Sequence, residues 1–335
     1  MRQGFGRVKA RRQPRTTSFD FTCRRHILSL RRCAEGTMPV LYRPARAQDL
    51  ERADALVVAS INDLTGRHGF GPMAVPRPPS FQLFSLNDDA GGLWVAEETG
   101  DIVGFAWSWV SGDLWFLAQL FVSPGRQGSG IGNELLKRTL DHARLSGAAS
   151  KALITFTFNT VSQGLYLRHG MFPRFPIYIV SAAGEEVSSR PRGPQLDYRP
   201  LEETHLPDLA RIDIEALGVS RLKHHRYLIG DSATRGFGLY AAQDCVGYAY
   251  ISETGHIGPL AVTRPDHLDA AFRTALRLAV EGGSPQVSAF VPGVAEPALT
   301  TAMEHGMRIT FPMVLMSTRA FGNWSQYLPR NPGFM

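Results

Sequence analysis

Gln127-Gly-Ser-Gly-Ile-Gly132 is the stretch whose residue types and spacing point most directly to chemistry, with glycine at three alternate positions. Without side chains there, the backbone N–H groups stand uncovered just where the next segment turns helical, and such a turn holds phosphate. Its surroundings narrow the kind. A nucleoside-triphosphate loop opens its helix with Gly-Lys-Ser/Thr, whereas this helix opens with Gly132, Asn133 and Glu134 and has no lysine to meet a terminal phosphate. A G-x-G-x-x-G fingerprint starting at Gly128 requires glycine at 133, where Asn133 stands. No metal site is expected. Cys23, Cys33 and Cys245 form no C-x-x-C pair, and His224 and His225 lack partners at ligand spacing and read as surface residues.

The flanking segments must position this turn. Residues 115–122, with Gln119 as the one polar member, read as a strand buried on both faces, and Pro124 and Gly125 end it. After the turn, Ile131, Leu135, Leu136, Leu140 and Ala143 mark one face of a helix, Glu134 and Arg138 pair outside it, and Gly147 stops it. Upstream, residues 40–43 are β-prone and residues 49–64 carry a helical period. Residues 65–80 contain seven Gly and Pro, a density that predicts a long irregular loop of the kind that often carries function. One short helical turn is expected over 81–86. Residues 93–98 and 102–109 read as strands joined at Thr99-Gly-Asp101, completing a meander with the strand before the glycines. A strand over 152–158, a short helix over 159–169 and a last strand over 175–180 follow.

Length and charge bound the rest. At 335 residues two domains are expected, and no apolar run approaches the ~20 residues of a membrane-spanning helix. The net charge of +6 is local: residues 1–37 hold nine Arg and one Lys against Asp20 and Glu35, a surplus of +8, which leaves −2 for the rest. That arm is expected to be a disordered basic extension, or a start-site artefact, since Met38-Pro-Val-Leu-Tyr-Arg-Pro44 reads like the start of a domain; nucleic-acid binding is not the favoured reading. The cysteines, odd in number and unpaired in pattern, place the protein in a reducing compartment, the cytoplasm. The chain also repeats itself. His169-Gly-Met171, Phe175-Pro176 and Ser181 recur as His305-Gly-Met307, Phe311-Pro312 and Ser317, each shifted by 136, and Leu120-Phe-Val122 recurs as Leu260-Ala-Val262. The expected plan is 1–37 extension, 38–181 first copy, 182–196 linker, 197–320 second copy and 321–335 tail.

Residues 41–180 resemble the GCN5-related N-acetyltransferases (GNAT). The resemblance rests on Gln127-Gly-Ser-Gly-Ile-Gly132, which matches Q/R-x-x-G-x-G/A, followed at the family's spacing by Asn159 and Leu165-Tyr-Leu-Arg-His-Gly-Met171. It implies a mixed α/β architecture of the α+β type: two tandem folds, each a mostly antiparallel sheet flanked by helices, with two central strands splayed to admit the pantetheine arm of acetyl-CoA. Gln127, Gly128, Gly130 and Gly132, with N–H groups of Ser129 and Ile131, would then bind the diphosphate. Phe121 and Val122 would offer main-chain groups to the pantetheine, and Asn159 its side-chain amide. Tyr166 occupies the place of the family's general acid, the alternative being a tyrosine merely packed on a core strand. Where many relatives carry a basic glutamate this chain has Gln119; Glu97, Glu98, Asp113 and His68 are the other candidates, each reading as an ordinary surface residue. The second copy has no glycine loop after Val262 and has Ala302 in place of Tyr166, so it is expected to be degenerate. The implied activity is acetyl transfer to a primary amine of a small molecule or peptide; the alternative is a non-catalytic acyl-CoA-binding module.

Overall fold

A computed structural model describes residues 39–189 and 193–335, and residues 39–335 form one compact unit. The basic extension and the middle of the expected linker lie outside the described residues. The first copy runs β1 (Leu41–Pro44), α1 (Leu50–Arg67), α2 (Ser80–Asp88), β2 (Leu93–Glu98), β3 (Asp101–Ser111), β4 (Leu114–Val122), α3 (Ile131–Leu145), β5 (Ser150–Phe156), α4 (Thr160–Arg168) and β6 (Phe172–Ala183), followed by a short α5 (Gly184–Ser188). The second repeats the order: β7 (Asp197–Pro200), α6 (Leu206–Leu217), α7 (Leu222–Gly230), β8 (Thr234–Ala241), β9 (Asp244–Ser252), β10 (His256–Val262), α8 (Leu268–Glu281), β11 (Gln286–Pro292), α9 (Glu296–Glu304) and β12 (Arg308–Ser317), with a final β13 (Tyr327–Leu328).

Apolar spacing sets the helices against the sheet. On α1 the buried residues are Leu50, Ala53, Leu56, Val57, Ser60, Leu64 and Thr65. On α3, Ile131, Leu135, Leu136 and Ala143 are buried as their period predicts. Gly104 of β3 lets α3 come close, since a Cβ there would lie 2.8 Å from Leu135 Cδ1 and 2.9 Å from Ile131 Cγ2.

The strands form one mostly antiparallel sheet in the order β1-β2-β3-β4-β5-β12-β6-β11-β10-β9-β8-β7, with β13 paired to β10. The two copies exchange their last strands. β6 of the first pairs with β11 of the second, β12 of the second pairs with β5 of the first, and β6 and β12 pair with each other. The expected boundary at 181 therefore falls inside β6. The start of the expected linker is the end of β6 and α5, where Val187 is buried. Nor are residues 321–335 a loose tail, for they carry β13, and Trp324, Tyr327, Leu328, Phe334 and Met335 are all buried.

The exchange predicts cooperative unfolding. Phe311, wholly buried on β12 and in ring contact with Phe70, Phe156 and Phe158 of the first copy, belongs to both halves. Phe311→Ala is expected to cost about 3–5 kcal/mol, read by chemical denaturation, with one transition in mutant and parent alike. Two separable transitions would contradict an interlocked pair.

Candidate active site

Beyond Leu117 the sheet opens between two of its central strands. β4 and β5 pair in parallel only from Leu114↔Ser150 to Leu117↔Leu153. The cause lies on the other edge of β4: Leu117 faces Ser108 and Gln119 faces Trp107, so Ala118 is the extra residue of a β-bulge. A bulge bends the strand that carries it, and here β4 leaves β5, which continues along β12. Ladder parity then decides which backbone groups face the gap. The Ser123 N–H donates to the Val103 carbonyl at 3.0 Å. Hydrogen-bonded pairs recur every second residue, so Phe121, opposite Phe105, spends its main-chain groups on β3, while Leu120 turns both of its groups, and Val122 its N–H, to the gap. On this register the main-chain groups of Phe121, expected at the gap, are turned away from it, and those of Leu120 face it.

At the end of β4 the glycine turn feeds α3. Gly128 and Gly130 have φ of +81° and +89°, in the left-handed region, and a Cβ at either would meet nothing within 4 Å, so glycine is needed there for conformation rather than space. Gly130 caps α3, and its carbonyl accepts the first helical bond from Glu134 N–H at 3.1 Å. The N–H groups of Gly128, Ser129 and Gly130 donate to no described residue, and those of Ile131 and Gly132 open the first turn, where a helix has no internal acceptor. Side chains brace this turn. Gln127 Nε2 and Ser60 Oγ each donate to the Val122 carbonyl at 3.2 Å, and Ser129 Oγ donates to the Arg126 carbonyl at 2.6 Å. Gln127 thus ties the turn to β4.

The gap widens into a cavity of ≈ 980 Å³ lined by Gln127, Gly128, Gly130, Gly132, Asn159 and Tyr166, among others from both copies. Phe121 and Val122 also line it; Ser129 lies on its rim loop, and Ile131 is buried beneath it. Asn159 caps α4, its Oδ1 accepting from Ser162 N–H at 3.2 Å, which leaves its NH₂ without a described partner. Tyr166 is 5% exposed, and burial raises its phenol above the ordinary range. Its hydroxyl has no described partner and is not sealed off, so it opens into the cavity. Gln119 Oε1 is buried without a partner at the fork. Uncovered amides at a helix start, unpaired backbone along a gap and an orphaned polar atom at its fork can hold a long polar chain that ends in an anionic group.

Of the four other base candidates only His68 reaches the cavity. Glu97 pairs with Arg43 at 2.7 Å and Glu98 with Arg126 at 2.7 Å, while Asp113 pairs with Arg319. Among the described residues no Asp or Glu lines the cavity. His169 bonds Asn133 Oδ1 at 3.2 Å and joins α4 to α3, and His305 Nδ1 lies 2.8 Å from the Thr301 carbonyl; both read as structural.

The matching gap of the second copy is closed. β10 and β11 pair only at His256↔Ser288 and Ile257↔Ala289, and past a β-bulge Leu260 and Ala261 pair with Leu328 and Tyr327 of β13. The Val262 N–H donates to the Gln326 carbonyl at 3.0 Å, and Gln326 Nε2 donates to the Val262 carbonyl at 2.9 Å. Ala295 caps α9 where Asn159 caps α4, and Ala302 is fully buried. His224 and His225, expected at the surface, are 2% and 1% exposed. His225 Nε2 lies 3.1 Å from Asp213 Oδ2, within a buried group in which Arg221 Nη2 donates to Asp213 Oδ1 at 2.9 Å and Arg221 Nη1 to the Met335 carbonyl at 2.7 Å. Burial alone would raise the Asp213 carboxyl, but Arg221 and His225 outweigh it and hold it well below the carboxylate range. From this anchor the tail runs back through Gly333, whose carbonyl accepts from Trp109 Nε1 at 3.0 Å, and Asn331–Gly333 line the first copy's cavity.

A bulged strand splayed from its parallel neighbour, with a glycine turn at its end and a helix following, defines an acyl-CoA N-acyltransferase fold, here present twice. Residues 61–171 match the model of the Acetyltransferase (GNAT) family. Among solved structures, the chain is similar to a putative acetyltransferase from Pyrococcus horikoshii (17% identity, TM-score 0.71, covering 88% of this chain and 96% of that one). It is also similar to a GCN5-related N-acetyltransferase from Sphaerobacter thermophilus (17%, 0.60, 87% and 100%) and to a tandem GNAT protein from the clavulanic acid biosynthesis pathway (16%, 0.56, 84% and 98%). At these identities the structures speak for the fold. No curated protein matches the sequence. Residues 61–171 thus form a domain of the acetyltransferase (GNAT) family, whose members carry out acyl-CoA-dependent N-acetyl transfer, and the second copy repeats the fold without the glycine turn.

The turn can be tested position by position. Gly130→Ala forces a side chain into the left-handed region and is expected to cost about 1–2 kcal/mol. Gly132→Ala sits in the helix, with its Cβ 3.5 Å from Val122 Cγ2, an ordinary contact, and is expected to fall within about 0.5 kcal/mol of the parent. Chemical denaturation of both variants decides, and equal losses would contradict the conformational account.

Proposed function

We propose that the first copy, residues 38–181, is an acetyl-CoA-dependent N-acetyltransferase that moves an acetyl group to a primary amine by direct attack. One observation carries this reading: the gap between β4 and β5 joins the uncovered amides of the glycine turn to the Tyr166 hydroxyl in a single cavity. The N–H groups of residues 128–132 receive the diphosphate, Leu120 and Val122 pair the pantetheine as a strand would, and Asn159 NH₂ donates to the same arm. Acetyl-CoA supplies an activated acyl carbon with a thiolate leaving group. His68 takes the ammonium proton, directly or through water, and the neutral amine attacks. As the C–N bond forms and the C–S bond breaks, Tyr166 gives its proton to the sulfur, and the proton shed by the nitrogen restores the phenol. The burial that raises the phenol raises the proton affinity of a leaving thiolate in the same cavity, so the transfer stays matched.

The degenerate copy, residues 197–320, and the tail, 321–335, shape the acceptor end in this reading. The acceptor is a small-molecule or peptide amine, and the site is cytoplasmic. The lack of Asp and Glu in the lining among the described residues favours one other reading, a non-catalytic acyl-CoA-binding module. A thiol-release assay with acetyl-CoA and a panel of amines separates them, because a binding module releases no coenzyme above hydrolysis. Tyr166→Phe is expected to lower kcat about 10²-fold while calorimetry shows unchanged acetyl-CoA affinity. Full turnover in that variant would remove Tyr166 as the acid.

A further inference from the structure

The acceptor end of the cavity carries chemistry that selects a class of amine, given the transferase reading above. Two aromatic walls bound it. On one side His68 lies tilted at 40° against Phe158 at 4.7 Å, and Phe158 meets Phe311 of the second copy at 5.3 Å. On the other, Phe81 packs edge-on against Trp107 at 5.1 Å and lies 4.1 Å from Phe334 of the tail. These walls suit a flat or branched apolar body.

The charges that line the cavity are of one sign. A polyamine or aminoglycoside needs carboxylates, and none is offered among the described residues. Arg67 and Arg126 are already answered by Asp63 at 2.8 Å and Glu98 at 2.7 Å. Arg168, on α4 two residues past Tyr166, and Arg77, in the loop between α1 and α2, line the cavity with guanidinium groups that have no described partner, while the Arg77 main-chain N–H donates to Asp54 Oδ2 at 3.3 Å. Burial pulls the Arg330 guanidinium of the tail below its ordinary range; Asp231, 3.9 Å away, works against that pull, and the Arg77 charge adds to it. An anion bound beside Arg77 would relieve that repulsion and give its guanidinium a bidentate partner.

We infer that the acceptor is an aromatic or branched apolar α-amino carboxylate, its carboxylate held by Arg77, its side chain between the two aromatic walls and its amine turned toward Tyr166. A guanidinium donates two parallel N–H bonds to the oxygens of a carboxylate in its plane, which fixes the amine at the next carbon.

The test uses the full chain and matched pairs that differ only in the carboxylate: L-phenylalanine against 2-phenylethylamine, and L-tryptophan against tryptamine, with spermidine as the polycation. In thiol release the amino acids are expected to exceed their decarboxylated partners in kcat/KM by about tenfold or more, with spermidine at background. Arg77→Ala is expected to collapse each ratio toward one, chiefly through KM, and Arg77→Lys to restore part of it. Calorimetry with N-acetyl-L-phenylalanine, the expected product, is run on the same proteins. Arg77-dependent binding of that product without any turnover keeps the acceptor assignment and removes the transferase reading. Better turnover of spermidine or the decarboxylated amines, an amino-acid preference unchanged in Arg77→Ala, or no binding and no turnover of the amino acids overturns the assignment.

Discussion

A strand in the middle of a sheet cannot leave its backbone N–H and C=O groups unpaired without cost, and the whole protein is arranged around two places where it comes close to doing so. In each copy a parallel pair zips for a few residues and is then driven apart by a β-bulge, at Ala118 in β4 and after Ile257 in β10. The second copy answers with its own chain, since β13 pairs with Leu260 and Ala261 and Gln326 satisfies both main-chain groups of Val262. The first copy leaves the main-chain groups of Leu120 and the N–H of Val122 facing a cavity, with only the Val122 carbonyl met, by Gln127 and Ser60. One gap is a seam; the other is the candidate binding site.

The same segment that closes the second gap builds the first site. After β13 the chain passes Arg330, lays Asn331–Gly333 along the cavity and buries Phe334 against Phe81. The Asp213–Arg221 pair in the second copy fixes its end through the Met335 carbonyl. Together with the exchange of β6 and β12, which brings Phe311 and Met313 to the first copy's cavity, this explains why a copy without a glycine turn is still part of the site. The physical link runs from a buried ion pair, through a tail held at both ends, to the wall of the cavity.

Much of this was legible in the sequence, for identifiable reasons. The glycine turn, the faces of α1 and α3 and the repeat depend on local spacing, which the chain states directly. Partner choice does not. Nothing in the pattern of residues 172–183 or 308–317 says that these strands change sides, because a strand's period fixes which face is buried and not which neighbour it has. The error at Phe121 has the same root: a single bulge at Ala118 sets the register parity of the strand end, and no residue type announces it. His224 and His225 looked like surface polar residues because their burial follows from a distant acid, Asp213, and from aromatic neighbours supplied by the fold. β13, two residues long, was too short to carry a period at all.

The central claim is that one gap of the pair takes an acyl-CoA arm while the other is filled by the chain itself. Calorimetric titration of the full chain with acetyl-CoA tests it most directly, through the stoichiometry. The account predicts one molecule bound per chain. Two bound molecules per chain, or none, would contradict it.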